Sequence, residues 1–275
     1  MGIWCSKIHQ KVLKIGGGDM YIEVKDVSVK YEQTGETFQA LDHVSLSIDK
    51  GEFICLLGPS GCGKTTLLNS IAGFEKVSEG EILIDGRPVI KPNIQYVTIF
   101  QNYGLLPWRT VQKNVELGLE TLKVPKEERE KLAEKYIDMV ELSNFKDSHP
   151  YQLSGGMQQR VAIARALAVN PDIIYMDEPF GALDAITRMK LQEDVRRLST
   201  EEKKTIIFVT HDIEEAVYLA DRIVVLTPNP GRIKSVVKIQ MPHKRDRTSD
   251  DFIVARDKMF EIFNMKKDTI IEYYI

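Results

Sequence analysis

The octapeptide Gly58-Pro-Ser-Gly-Cys-Gly-Lys-Thr65 limits what this chain can fold into more than any other segment. It follows the continuous apolar run Phe53–Leu57 and leads into a stretch that reads as a helix beginning near Gly63. A strand, a glycine-rich turn and a helix in that order aim backbone N–H groups outward from the positive end of a helix dipole, where they can hold an anion. Gly58, Pro59, Ser60, Gly61, Cys62 and Gly63 are therefore expected to curl around phosphate oxygens. Lys64 adds a point charge, the Thr65 hydroxyl suits Mg2+, and Thr66 belongs to the same set of phosphate contacts.

Around this loop the chain alternates β-branched or apolar runs with helical stretches. Strands are expected at Tyr21–Val29, Leu41–Ile48, Phe53–Leu57, Gln95–Phe100, Ile173–Met176, Thr205–Val209 and Arg222–Leu226. A hairpin-like stretch at Glu81–Ile84 turns on Asp85-Gly86. From about Val111 to Asn170 the chain reads as helices, charged at Lys126–Glu141 and Ala-rich at Val161–Ala168. The expected fold is α/β: a phosphate-loop NTPase core with a mostly parallel, helix-covered sheet, an N-terminal antiparallel β part and an inserted helical part at about 102–168. Residues 20–240 make up this core, 1–19 a basic extension ending in Gly16-Gly17-Gly18, and 241–275 a helical tail whose stretch Asp251–Met265 packs on the core.

Ile173-Ile-Tyr-Met-Asp177 is an apolar strand ending in a carboxylate, suited to hold Mg2+ at the carboxyl edge of a parallel sheet. Glu178 follows at once, and successive side chains at a strand end point in different directions. Asp177 can face the metal while Glu178 polarises a water for attack on a γ-phosphate.

Leu153-Ser-Gly-Gly-Met-Gln-Gln-Arg160 resembles the signature motif of the ATP-binding-cassette (ABC) ATPases. Ser154 can cap the helix that follows, while Gly155 and Gly156 expose N–H groups at its positive end. The resemblance implies that these donors contact the γ-phosphate of ATP held by a second copy of the chain, so that two nucleotides lie between phosphate loop and signature in a dimer. Further positions match the family in order across residues 20 to about 240. Tyr31 matches the aromatic that stacks on adenine, and Gln101 the glutamine that senses Mg2+ and the attacking water. Gly181-Ala-Leu-Asp184 resembles the loop that crosses the dimer, and His211 the histidine that contacts γ-phosphate.

Met157 in the signature and Gly181 before Asp184 depart from the commonest family residues and resemble the importer branch serving nitrate, aliphatic sulfonates and taurine. Phe100-Gln-Asn-Tyr-Gly-Leu-Leu-Pro-Trp-Arg109 and Pro230-Gly-Arg232 point the same way. The resemblance implies ATP hydrolysis with Mg2+, coupled to solute uptake through permease subunits that receive solute from an extracytoplasmic binding protein. Tyr103, Leu105, Leu106 and Trp108 either line a groove for a permease helix or belong to the helical core. The alternatives are an importer for another small solute, or a soluble ABC machine acting on nucleic acid.

Composition weighs against the last of these. With 28% charged residues and a net charge of −3, the chain lacks the basic excess of a nucleic-acid binder. It has a single phosphate loop and no sustained heptads, and no run approaches the roughly 20 apolar residues of a membrane span. A place on the cytoplasmic face of a membrane is expected. Trp4, Ile8, Val12 and Ile15 recur at helical spacing with Lys7, Lys11 and Lys14 off that stripe, so residues 1–19 form either a membrane-surface helix or a disordered extension. Met1-Gly2 with Ser6 also fits an N-myristoylation pattern. The three cysteines, Cys5, Cys55 and Cys62, show no metal-ligand spacing. Cys62, beside Lys64 at a helix N-terminus, is expected to be a reactive thiol that nucleotide covers, the alternative being a thiol turned inward against the sheet and inert with or without ligand.

Overall fold

The computed structural model describes residues 20–33, 36–93, 95–100, 103–242, 244–264 and 271–274. Strand β3 (Phe53–Leu57) is buried along its whole length, because parallel neighbours flank it and both of its faces are covered. Those neighbours are β8 (Thr205–Thr210) and β9 (Arg222–Thr227). Beyond β8 lie β7 (Ile173–Asp177) and β6 (Tyr96–Ile99); beyond β9 lie β10 (Arg232–Lys238) and β11 (Ile271–Tyr274). The strands from β9 to β6 run parallel, β10 is antiparallel to β9, and β11 is parallel to β10.

The two-residue side-chain period of a strand divides the core in two. Phe53, Cys55 and Leu57 join Phe208 and Val225 on one face, under α2 (Val111–Thr121), α3 (Lys126–Met139), α4 (Gly155–Ala168), α5 (Ala185–Glu202), α6 (Ile213–Leu219) and α7 (Asp250–Asn264). Ile54 and Leu56 join Ile207 and Val224 on the other face, under α1 (Lys64–Ala72) and a second sheet. That sheet is antiparallel in the order β2-β1-β4-β5, built from β1 (Met20–Gln33), β2 (Glu36–Asp49), β4 (Glu79–Ile84) and β5 (Arg87–Pro88). Asp85 and Gly86 both adopt positive φ, 51° and 68°, the geometry a two-residue hairpin turn requires. Phe208 packs against Phe53 and Phe180 at centroid separations of 6.1 and 5.7 Å, in edge or tilted arrangements that suit aromatic quadrupoles.

The sequence expectations hold for the two-part sheet architecture and for the helical insertion, with one difference. The strand expected at Gln95–Phe100 is β6, which pairs in parallel with β7, Tyr96 opposite Ile173. The chain beyond residue 240 is more than a helical tail, because after α7 it returns as β11 alongside β10. The sequence of β10, Arg-Ile-Lys-Ser-Val-Val-Lys, mixes charged and apolar positions and carries little strand signal by itself. Residues 1–19, with their amphipathic spacing, lie outside the described residues. Among the described residues no helix is long and apolar enough to cross a membrane.

Candidate functional site

Parallel register brings the chemistry-bearing segments to one edge of the large sheet. Leu57 lies opposite Thr210, and Val209 opposite Asp177, so the chain leaves β3, β7 and β8 at the same level. The phosphate loop, Glu178 and His211 emerge there, at the carboxyl ends where open α/β sheets form ligand sites.

The loop needs glycine where it turns into α1. Gly63 has φ +90°, and a Cβ on it would come within 2.6 Å of Leu41 Cδ2 and 2.9 Å of the Ala40 carbonyl. Lys64 is buried and its Nζ donates to the Gly58 and Pro59 carbonyls at 2.8 and 3.0 Å. Ser60, Gly61 and Thr65 are exposed, so the N–H groups of the turn border open space in front of the helix. Cys62 corrects the sequence expectation. Its thiol is turned inward beneath Gly58, whose Cβ would lie 2.5 Å from Cys62 Sγ, and it packs with Leu67 and Leu226. Burial raises this thiol above its ordinary pKa and outweighs the opposing pull of Lys64. Cys62 therefore offers the anion its backbone and not a thiolate.

Thr65 Oγ1 donates to Asp177 Oδ1 at 3.1 Å, which joins the loop to the end of β7. Burial raises the Asp177 carboxyl, opposed mainly by this hydroxyl. A hydroxyl and a carboxylate together are hard oxygen donors of the kind Mg2+ takes alongside water and phosphate, so the pair fits that ion. Glu178 sits in left-handed backbone, φ 46°, held by its N–H to the Val209 carbonyl at 3.1 Å. That turn sends its carboxylate toward His211, with Oε1 3.1 Å from Nδ1. The His211 side chain is 64% exposed and that of Glu178 26%, so both can reach a group bound in front of the loop.

Ser154 caps α4 as expected, its Oγ accepting from Met157 N at 3.2 Å, and Ser154 and Gly155 are exposed. The nearest side chain to Gly155 is Tyr103, whose hydroxyl would be 3.1 Å from a Cβ there. Asp184 caps α5 by accepting from Thr187 N at 3.0 Å, and those N–H bonds hold its carboxyl below the usual range. Tyr31, on β1, packs against the smaller core beside the loop helix, and partial burial raises its hydroxyl above the ordinary pKa. Gln101 lies outside the described residues. Of the four residues expected either to line a groove or to fill the core, Leu105 packs on the helical core and Trp108 is 72% exposed. Arg165 holds the intervening loop by donating to the Tyr103 and Gly104 carbonyls at 2.8 and 2.6 Å.

Two residues within quoted motifs have roles that the sequence did not reveal. Gln159 on α4, 2% exposed, accepts from Ala182 N at 3.2 Å and donates to the Glu178 carbonyl at 3.4 Å. It thereby ties the signature helix to the segment after β7. Gly231 lies against the phosphate loop, where a Cβ would sit 2.3 Å from the Cys62 carbonyl, while Arg232 Nε donates to Asp42 Oδ2 at 2.6 Å. The Pro230-Gly-Arg232 cluster thus braces the loop from the β9–β10 turn, a role no local pattern announces.

Several known proteins are similar to this chain. The family model described as ABC transporter matches residues 41–181. An uncharacterized ABC transporter ATP-binding protein of Methanocaldococcus jannaschii is 51% identical over 251 residues, 91% of this chain and 93% of that protein. An aliphatic sulfonates import ATP-binding protein of Bacillus cereus is 44% identical over 244 residues, 89% of this chain and 96% of that protein. Among solved structures, a dimeric post-hydrolysis state of an ATP-binding cassette bound to ADP and Pi superposes with a TM-score of 0.74 at 38% identity, covering 80% of this chain and all of that one.

The inward thiol has a direct consequence. Cys62 in the folded chain is expected to resist a thiol alkylator equally with and without Mg-ATP, and to react only on unfolding. Mass spectrometry of alkylated peptides checks this, and rapid labelling of native Cys62 would contradict the inward placement.

Proposed function

This chain belongs to the ABC transporter family of ATP-binding proteins, and from that premise we propose that it powers an importer of small anions, working as one of a pair of identical ATPase subunits. The chain is an ATPase and its nucleotide is ATP. The observation that carries the assignment of roles is the meeting of Thr65, Asp177, Glu178 and His211 in front of the phosphate loop.

In this reading the loop N–H groups take the phosphates, and Lys64 exchanges the Gly58 and Pro59 carbonyls for phosphate oxygens. Thr65 and Asp177, with Gln101, hold Mg2+, which when bound neutralises charge on the β- and γ-phosphates. Glu178 accepts a proton from the attacking water as general base, and His211 orients the Glu178 carboxylate while facing the γ-phosphate. Tyr31 stacks on the adenine. Ser154, Gly155 and Gly156 offer the α4 N-terminus to the γ-phosphate on the second copy, and Asp184 approaches that copy from the adjoining loop. The dimeric cassettes among similar structures support this arrangement.

Exposed Trp108, together with the exposed, edge-packed pair Phe74 and Phe100, supports a docking face for a permease. An extracytoplasmic binding protein would deliver solute to that permease. The solute class, a nitrate, sulfonate or taurine-type anion, is supported by the relatives that import aliphatic sulfonates. In vesicles holding the cognate permease and binding protein, an alkanesulfonate is expected to stimulate ATP hydrolysis. Stimulation by an unrelated cation or sugar alone would contradict the solute class.

Glu178→Gln keeps size and loses basicity. It is expected to slow ATP hydrolysis by about 10²–10⁴-fold with nucleotide affinity retained. Single-turnover hydrolysis and equilibrium nucleotide binding check this together, and near-normal turnover would remove Glu178 from the mechanism.

A further inference from the structure

The His211 side chain is 64% exposed, and its ring is in polar contact with Glu178. The residues on either side of it are, by contrast, fixed by a partly buried polar chain. Thr210 Oγ1 donates to Glu215 Oε2 at 2.7 Å and accepts from Asp212 N at 3.1 Å. One hydroxyl thus ties both chain neighbours of His211 to a carboxylate one turn into α6. Asp212 caps the same helix by accepting from Glu214 N and Glu215 N at 2.8 and 3.1 Å.

The chain continues away from the site. Gln192 on α5, 2% exposed, donates through Nε2 to Glu215 Oε1 at 2.9 Å, and its Oε1 accepts from Arg247. Arg247 in turn stacks its guanidinium over the Tyr218 ring of α6, 3.4 Å from the centroid. Two residues earlier, Arg245 is buried and donates to the carbonyls of Val217, Tyr218 and Ala220 at 2.7, 3.2 and 2.7 Å, at the C-terminal end of α6. The segment after residue 240 therefore grips the C-terminal end of the helix that starts beside His211 and reaches its first turn through Gln192.

We propose that Glu215 is a positioning residue for His211, acting through Thr210 and supported by Gln192 of α5 and Arg247 of the C-terminal segment. The chemistry of the chain gives it a direction. Arg247 can only donate at one end, so Gln192 accepts from it and donates to Glu215; at the other end the Thr210 hydroxyl accepts from Asp212 N and donates its one hydrogen to Glu215. Glu215 therefore accepts on both sides, which a carboxylate does with two oxygens and an amide, with one oxygen and an NH2 group, does not. Glu215→Gln conserves volume, but its NH2 group must face either the Gln192 amide, donor against donor, or the Thr210 hydroxyl, which then loses its acceptor and must turn, so the partly buried chain is broken in either case. A histidine displaced by a fraction of an ångström from Glu178 would lose its catalytic orientation, with the nucleotide contacts of the phosphate loop unchanged.

The proposal rests on the role of His211 in ATP hydrolysis, and the test separates the two. In the full chain, kcat and KM for Mg-ATP are measured with melting temperature for Thr210→Val, Thr210→Ser, Glu215→Gln, Arg247→Ala and His211→Ala, and for each of the first four combined with His211→Ala. Thr210→Val and Glu215→Gln are expected to lower kcat on the order of tenfold to a hundredfold with KM within about twofold of the parent. Arg247→Ala shifts kcat in the same direction, and Thr210→Ser, which keeps the hydroxyl, restores it. In the His211→Ala background none of these changes lowers kcat further, because the group they position is gone. Full additivity in that background, or parental kcat in folded Thr210→Val and Glu215→Gln, would overturn the positioning role. Parental turnover by His211→Ala itself would overturn the assignment of His211 and this proposal with it.

Discussion

The parallel register of β3, β7 and β8 is the constraint on which the rest depends. Leu57, Thr210 and Asp177 end their strands level with one another, so one short edge receives a glycine turn, two acidic side chains and an imidazole from segments far apart in sequence. That register is fixed by burial on both faces. A slip of one residue in β3 would exchange Phe53, Cys55 and Leu57 for Ile54 and Leu56 between two cores of different composition. The hydrogen bond from Thr65 to Asp177 closes the arrangement by joining the helix that follows β3 to the end of β7.

What could be read in the sequence was chemistry dictated by residue type at a strand end. The glycines of Gly58–Thr65 and the pair Asp177 and Glu178 stand out because loop curvature and metal affinity favour those residue types after an apolar strand, while His211 is found only through its place in the family's order of motifs. The direction of the Cys62 thiol was not legible. It depends on the space under Gly58 and on Leu226, which lies on a strand more than 150 residues away. Gly231 and Gln159 were hidden for the same reason, since each acts through a backbone group brought near only by the tertiary fold. Strands β10 and β11 pair at long range, and their mixed composition gives no local periodicity to read.

The two halves of the proposed catalytic unit are held by different physics. The phosphate loop is pinned from below by the buried sheet, by Gly231 and by the Arg232–Asp42 pair. The signature segment stands at the exposed start of α4, fixed to the catalytic turn through Gln159. An exposed helix start with its cap already satisfied internally has N–H groups to offer and a dipole that favours an anion. In a pair of chains, each loop would supply the anion that the other chain's helix start lacks, and Gln159 would connect one composite site to the next.

The central claim is that each ATP is hydrolysed between the loop of one chain and the signature of another. The most direct measurement mixes two inactive variants, Lys64→Ala and Ser154→Arg. In a mixed pair one composite site carries both defects, while the other combines an intact loop with an intact signature. Each variant alone is expected to be inactive, and mixing them is expected to restore ATP hydrolysis. A mixture that forms pairs yet stays as inactive as either variant alone would contradict it.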